Sequence, residues 1–500
     1  MKYLFNNIVI NCILILFVAF PNLEGQDEWM MTPKKMKKDL KEIEDLIGGH
    51  ADPYRHYSEE EFAGFIKEAY TAVSQPLSKR EFFKTAAELV AKIKDGHTSV
   101  RLPVELLRAK LKANGVFPFE LFINDENEFY VIQSYEDGES SIPLGAKILK
   151  INGKSTEEII SELDGYVSYE RIPFRNFIIQ SRISEYLYLT FGDIKQYGIE
   201  YSYGKTTAII VNTIPLSQRK RKMKDFRDEG DRKKDRGIPY EYEKLEDEVG
   251  LLALNSFGSR DMKSFAVFLE KSFRKISKEG INYLIIDVRG NLGGWPKLSA
   301  DIFHYLTDKN FKTIALSQTK VTEPYQYYFK KRGLRNYEGN ARKLLHHVDL
   351  HKVMSEPVGS ILTEVDYYNE APQTKSHEYT GRIFLLTDRR SYSASSCFAA
   401  TFKCYGLGSI IGEETGGTAI FHANSFSRQL FHSGFVVSIA PSKKYTACYD
   451  QPDNGIKPDI DVKPSILDRV NQVDSPLNYT RMMIRKLKLA NARKLEEEEK

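Results

Sequence analysis

Ile285-Ile286-Asp287-Val288-Arg289-Gly290-Asn291-Leu292-Gly293-Gly294 opens with apolar residues on successive positions and closes on two glycines. The first half reads as a strand buried on both faces, the second as a turn. A second strand, Ile383-Phe384-Leu385-Leu386, runs toward Ser391-Tyr392-Ser393-Ala394-Ser395-Ser396, a serine-rich helix start. That helix is expected over Ser395 to Cys404, with Gly406 as its stop and Ser409-Ile410-Ile411 as the next strand. Upstream, Leu251 to Leu254 is a short apolar strand. It leads to a helix capped by Asp261, with Phe265, Phe268, Leu269, Phe273 and Ile276 on one face and Gly280 at its end. Strand and helix in repeated alternation imply an α/β domain: a mostly parallel sheet covered by helices. Phe435 to Ile439 adds a further strand.

Outward from this domain the period of the apolar pattern changes twice. Met36, Leu40, Ile43 and Leu46, then Phe62, Phe65, Ile66 and Tyr70, then Phe82, Phe83, Ala86, Leu89, Val90 and Ile93 are spaced as three helices, the last capped by Ser78. Gly96 in Asp95-Gly96-His97-Thr98 is expected to stop that helix before a strand at Ser99 to Leu102. Between Val116 and Ile214 the period is two, and Lys147 to Lys154 with its Asn152-Gly153 turn is similar to the end of a PDZ domain. The expected divisions are a signal peptide at 1–25, a helical domain at 26–110, a β-rich PDZ-like module at 111–214 and a basic charged linker at 215–245. The α/β domain then spans 246–470, and 471–500 is a basic terminal helix and tail.

With 500 residues, 41% of them hydrophobic, the chain fills several cores without cross-links. A net charge of +4 argues against a dedicated nucleic-acid binder. Basic residues crowd locally, from Arg219 to Arg236, in a segment that reads as a solvated, partly disordered insertion. Lys2 followed by the apolar run Ile8 to Phe20 reads as an export signal, so the mature chain is expected to be periplasmic or secreted, with no integral membrane span. Cys12 falls inside that run, which leaves Cys397, Cys404 and Cys448, an odd number that suits no full disulfide framework. Cys397 and Cys404 are expected as buried thiols.

A strand that ends at a turn and feeds a helix puts the turn at the carboxyl edge of the sheet, where open α/β folds bind ligands. Ser393 stands there, beside N–H groups that favour developing negative charge. Serines also cap helices, and one of Ser391, Ser393, Ser395 and Ser396 is expected to do so. The Asn291 to Gly294 turn lets a backbone N–H approach a substrate oxygen, and such a donor contributes about 2.7 to 4 kcal/mol to acyl transfer. His346, His347, Asp349 and His351 have metal-ligand chemistry but lie in the long polar insertion Gln318 to His377, where a solvated loop is the expectation. Arg289 and Asp287 are expected to pair internally.

Asp287 to Gly294, Ser391 to Ser396, Gly412-Glu413-Glu414-Thr415-Gly416-Gly417 and Gly455-Ile456-Lys457-Pro458-Asp459 occur in that order. Together they resemble the tail-specific (C-terminal processing) and tricorn-like serine peptidases. The resemblance implies a ClpP/crotonase-like catalytic domain, hydrolysis of peptide bonds in polypeptide substrates, and no metal or cofactor. It places the nucleophile at Ser393 and the oxyanion donors at Ala394 and the glycine turn, Gly293 foremost and Gly294 beside it. Processing peptidases carry a lysine just after the Gly-Glu-x-Thr segment, but this chain reads Thr415-Gly416-Gly417-Thr418-Ala419. The tricorn-like branch implies a histidine base instead, matching His97, with His422 as the rival, and an acid at Asp453, with Asp450 close by. That branch also places a serine just before its histidine, where this chain has Gly96. A peptide-binding relative without chemistry, or an acyl hydrolase of the same fold, stays open at this level.

Overall fold

Pro33–Ile47, Glu59–Ala72 and Lys79–Ala91 are the helices that the three- and four-residue spacing predicts. The computed structural model describes residues 30–229, 239–258, 262–332, 350–365, 369–370, 378–448 and 453–498. The expected signal segment at 1–25, Asp261, Asp450, and His346, His347 and Asp349 lie outside those residues. His351 belongs to a short helix, Leu350–Ser355. Ser78 caps the third helix in a reciprocal box with Glu81. That helix ends at Ala91, before Gly96, and Lys94 takes the left-handed turn at φ 54°.

Ser99–Arg101 follows as a strand whose partner is distant in sequence. Val100 pairs antiparallel with Val437, inside a three-stranded sheet completed by Phe426–Gln429. The first helix grips the same region, since the buried Asp39 carboxylate accepts the N–H groups of His432 (3.1 Å) and Ser433 (2.7 Å). Phe435 inserts between Phe82 and Phe83, with ring centroids 5.5 Å from each. The N-terminal helices are therefore built onto the C-terminal third of the chain and share its core.

Residues 119–212 form an antiparallel sheet with helix Thr156–Asp164 after the Asn152-Gly153 turn, an architecture compatible with a PDZ-like module. Two helices here, Ile172–Ser181 and Ile183–Phe191, break the period-two expectation. The 215–245 segment is not a solvated linker throughout. Leu216–Glu229 is a helix whose Leu216, Met223 and Phe226 pack on Val116, Tyr135 and Ile214. Tyr240–Glu246 is the edge strand of the next sheet.

That sheet has six strands in the order 240–246, 249–254, 283–287, 382–387, 408–412, 460–461, and every pairing after the first is parallel. Alternation divides the strand Tyr283–Asp287 cleanly. Leu284 and Ile286 face the helices Met262–Lys278, Pro296–Phe303 and Ala394–Cys404, while Tyr283 and Ile285 face the opposite layer. The opposite layer is Ser475–Glu498, whose Ile484 is fully buried. The expected terminal tail is thus the second cover of a doubly buried sheet.

A four-stranded antiparallel sheet, 361–365, 314–320, 442–446 and 420–423, stands beside it. The segment from Gln318 accordingly begins as sheet, and Tyr325 in helix Glu323–Arg332 is core, 5.2 Å from the Phe426 ring. Cys404 and Cys448 are disulfide-bonded with Cα atoms 5.8 Å apart, which corrects the expectation of a thiol at Cys404; Cys397 stays a buried free thiol. The distant strand that brings Cys448 alongside leaves no trace in local spacing. Replacing Asp39 by alanine leaves two N–H groups without their carboxylate, and the urea transition is expected to lose about 1.5 to 3 kcal/mol.

Candidate active site

The turn after strand Arg382–Thr387 is fastened to its neighbour before it reaches the serines. Ser391 donates its hydroxyl to the Val288 carbonyl (2.9 Å), and its N–H binds the Asp388 carbonyl (2.9 Å). Ser396 returns its hydroxyl to the Ser393 carbonyl (2.8 Å). Ser393 occupies the N-cap position yet makes no capping bond, at φ 56° and ψ −119°. A non-glycine residue held there costs of order 1 to 3 kcal/mol, so its surroundings must enforce it. They do so by close approach. A Cβ on Gly293 would stand 2.8 Å from the Ser393 Cβ, and one on Gly417 would stand 2.5 Å from the Ser396 hydroxyl and 3.0 Å from the Ser393 nitrogen. One glycine of each motif, Gly293 and Gly417, is thus a packing requirement of the serine turn.

The freed hydroxyl of Ser393 lies 3.0 Å from His97 Nε2. His97 arrives on the loop between helix Lys79–Ala91 and strand Ser99–Arg101, and Ser425 holds its carbonyl (2.9 Å). Asp95 organises the loop from inside. Its Oδ1 accepts the His97 backbone N–H (3.0 Å), and its Oδ2 accepts the Thr98 hydroxyl (2.6 Å) and meets His50 Nε2 (3.1 Å). At His97 Nδ1 stand the Tyr392 hydroxyl (2.9 Å) and, farther off, Asp95 Oδ1 (3.5 Å). Tyr392 also reaches both oxygens of Glu170, at 2.9 and 3.1 Å.

Burial opposes the Asp95 charge, but the surrounding histidines, with His422 and His50 foremost, hold its pKa well below the usual carboxylate range. Burial itself drives His422 down to about 4, so it is neutral at pH 7, and the hydrogen bonds from His50, Thr98 and the His97 backbone are what sustain the carboxylate. At His97 burial also lowers the pKa, but Asp95 and then Glu170 outweigh it and leave the imidazole above its ordinary value.

His50, Asp95 and His422 have the residue types of a metal site and lie within 4.8 Å of one another. The His50 tautomer speaks against that use. Its Nδ1 accepts the Asp52 backbone N–H (3.1 Å), so Nε2 carries the hydrogen and points it at Asp95 instead of offering a lone pair. His422, the alternative base, is buried in this cluster beside Asp95 (3.7 Å) and makes no bond to Ser393. Lys444 is pushed down to about 7 by burial, but its ammonium meets Ser317 (3.0 Å).

Two expected residues take other places. Asp453 is exposed and pairs with Arg55, so it is not brought to the imidazole; its loop position leaves the side chain facing solvent. Gly293 gives its N–H to Asn291 Oδ1 (2.8 Å) and is therefore not a free oxyanion donor. Gly294 and Ala394 remain. The bridge to Phe257 uses the Gly293 carbonyl and the Trp295 N–H, so strand alternation turns the Gly294 N–H the other way. Ala394 opens its helix, with an N–H that has no intrahelical acceptor. Arg289 does pair internally, with Asp287 (2.7 Å) and also Asp474. Motifs in the sequence point to no role for Asp95, Tyr392 or Glu170. Asp95 has a signal only in its spacing to His97; Glu170 has none.

The profile of Peptidase family S41 matches residues 248–462, which hold the sheet apart from its edge strand Tyr240–Glu246, the glycine turn and the serine helix, but not His97. No curated protein matches the chain by sequence. Among solved structures, mature CPAF is similar at 14% identity with a TM-score of 0.59, covering 87% of this chain and 94% of that one. Its complex with lactacystin is similar at 14% and 0.58, covering 91% and 98%. The photosystem II D1 C-terminal processing protease matches at 14% and 0.43, covering 88% and 97%. The two CPAF likenesses bear on the fold alone.

Gly417→Ala tests the packing claim. Its Cβ has nowhere to go but against Ser396 and the Ser393 backbone, and a displacement near 1 Å is expected to lower turnover of a peptide substrate by about 10²-fold with the fold retained by circular dichroism.

Proposed function

We propose that the chain, whose residues 248–462 match the profile of peptidase family S41, is a serine-type peptidase that hydrolyses peptide bonds through an acyl-enzyme formed on Ser393 with His97 as general base. The observation that carries this reading is the 3.0 Å contact between the Ser393 hydroxyl and His97 Nε2, across 296 residues of chain. Ser393 Oγ attacks the scissile carbonyl and its proton passes to Nε2. The oxyanion that forms is held by the Ala394 N–H with the Gly294 N–H, close to the positive end of helix Ala394–Cys404. The imidazolium then gives its proton to the departing amine. Water, deprotonated by the same imidazole, opens the ester and restores Ser393. A polypeptide is the substrate, water is the second reactant, and the nucleophile and base are side chains of the chain itself.

Asp95 supports the base from the backbone side. By fixing the His97 N–H and the Thr98 hydroxyl it sets the loop, and its charge favours the imidazolium that appears during attack. Ser393→Ala and His97→Ala are each expected to reduce kcat by about 10⁴- to 10⁶-fold. The reading is wrong if either variant keeps wild-type turnover. Because the base acts only when neutral, and its pKa is raised, kcat/KM is expected to rise with pH through a midpoint above the ordinary imidazole value of about 6.5. A midpoint below that value contradicts the arrangement.

We also infer export to an oxidising compartment. The apolar run Ile8 to Phe20 supports it, and so does the Cys404–Cys448 disulfide, since such bonds persist outside the reducing cytosol. Among the described residues no helix is long and apolar enough to cross a membrane. Fractionation of cells expressing the full chain is expected to place it outside the cytosol with Cys404 and Cys448 refractory to alkylation; a cytosolic, fully alkylated protein overturns this.

A further inference from the structure

A histidine serves as base to a serine only in the tautomer with hydrogen on Nδ1 and the lone pair on Nε2. Something opposite Nδ1 must therefore accept a hydrogen. Asp95 is poorly placed for this, at 3.5 Å from Nδ1, with its Oδ1 already taking the His97 backbone N–H at 3.0 Å. The Tyr392 hydroxyl, at 2.9 Å, is the group within bonding reach. A phenol has one hydrogen to give, and both oxygens of Glu170 lie within 3.1 Å of it. An ionised carboxylate only accepts, so it claims that hydrogen and leaves the phenol oxygen as an acceptor toward Nδ1. We propose that Glu170, acting through Tyr392, is the acidic positioning residue of the Ser393–His97 pair and fixes the productive tautomer of His97. This rests on the reading of those two residues given above.

The surroundings are shaped for that relay. A Cβ on Gly96 would stand 2.5 Å from the Tyr392 hydroxyl, 2.9 Å from Glu170 Oε2 and 3.0 Å from the Phe174 ring. Residue 96 thus lacks a side chain because the phenol and carboxylate fill its space. Tyr392 is clamped between rings, stacked on Phe174 with centroids 3.9 Å apart and on His97 at 4.8 Å. Glu170 comes from the loop before helix Ile172–Ser181, so the acid of the site is contributed by the segment joined to the β-rich sheet, outside the stretch that matches the peptidase family.

Burial first, and then the Asp95 charge, push Glu170 up to about 7, against the opposite pull of His97. The groups facing it are Tyr392, His97 and Asp95, with Arg171 adjacent and itself paired to Glu414 (2.8 Å). Once protonated, Glu170 can donate to the phenol oxygen, and the phenol hydrogen then turns to Nδ1. That is the unproductive tautomer. The acid limb of the rate profile accordingly belongs to Glu170 and His97 jointly.

The test measures kcat, KM and the pH profile on a peptide substrate for the full chain and for Glu170→Gln, Glu170→Asp, Tyr392→Phe and Ser393→Ala. Glu170→Gln is expected to lower kcat by about 10² to 10⁴ with KM changed less than about threefold, because tautomer control acts on chemistry and leaves binding alone. Its acid limb should move to lower pH, since a charge that raises the His97 pKa is gone. Glu170→Asp should recover part of the loss. An unchanged kcat and an unmoved limb in Glu170→Gln overturn the proposal. Where that variant fails to fold, Tyr392→Phe decides, as it keeps the ring stack and removes only the hydroxyl; the same loss is expected, and wild-type turnover overturns the relay. Activity surviving in Ser393→Ala would instead refute the serine reading.

Discussion

Three residue pairs, Ser99 with Ser438, Val100 with Val437 and Arg101 with Val436, decide where the imidazole goes. This pairing ties the strand that follows His97 to the C-terminal third of the chain. With it, the loop at residues 95–98 is pressed onto the turn that holds Ser393, and the bond across 296 residues closes. Asp39 at His432 and Ser433, Lys443 at Asp52 (2.6 Å), and the Phe82–Phe435 stack all reinforce the same seam. Surface ion pairs contribute little alone, so the buried carboxylate and the aromatic packing carry most of that seam.

The second constraint is steric. Ser393 is held in a conformation that costs energy, and the groups that hold it are backbone atoms brought close by missing side chains. Gly293 and Gly417 press on the serine from two strands' ends, and Gly96 makes room for the phenol and carboxylate behind the imidazole. Three loops far apart in sequence meet at contact distance with no Cβ between them. The conformation of Ser393 is therefore set by a fitted cavity of backbone, and its uncapped hydroxyl is a consequence of that fit.

The sequence makes the sheet legible because a strand buried on both faces has few other readings, as Ile285 and Ile286 illustrate. Ser393 and His97 are legible through ordered motifs whose neighbours are glycines. Other features leave weaker traces. The helix Leu216–Glu229 hides its apolar face, Met223 and Phe226, among cations that suggest solvation. Glu170 shows no periodicity or motif, because its place at the site depends on a phenol brought from 222 residues away. Asp453 looks suitable from its distance to Gly455, yet the turn aims it at Arg55 and solvent. The Cys404–Cys448 bond escapes an argument from counting, since an odd total does not exclude one bridge and one buried thiol.

Tertiary placement is thus the information that spacing lacks, and it brings Ser393 and His97, which lie far apart in the sequence, into contact. The most direct measurement of that pair is peptide mapping of the full chain after treatment with a fluorophosphonate, alongside His97→Ala. A single adduct on Ser393 that disappears when His97 is removed is the result expected of a hydroxyl activated by that imidazole. An adduct on Ser391, Ser395 or Ser396, or labelling of Ser393 that persists without His97, would contradict it.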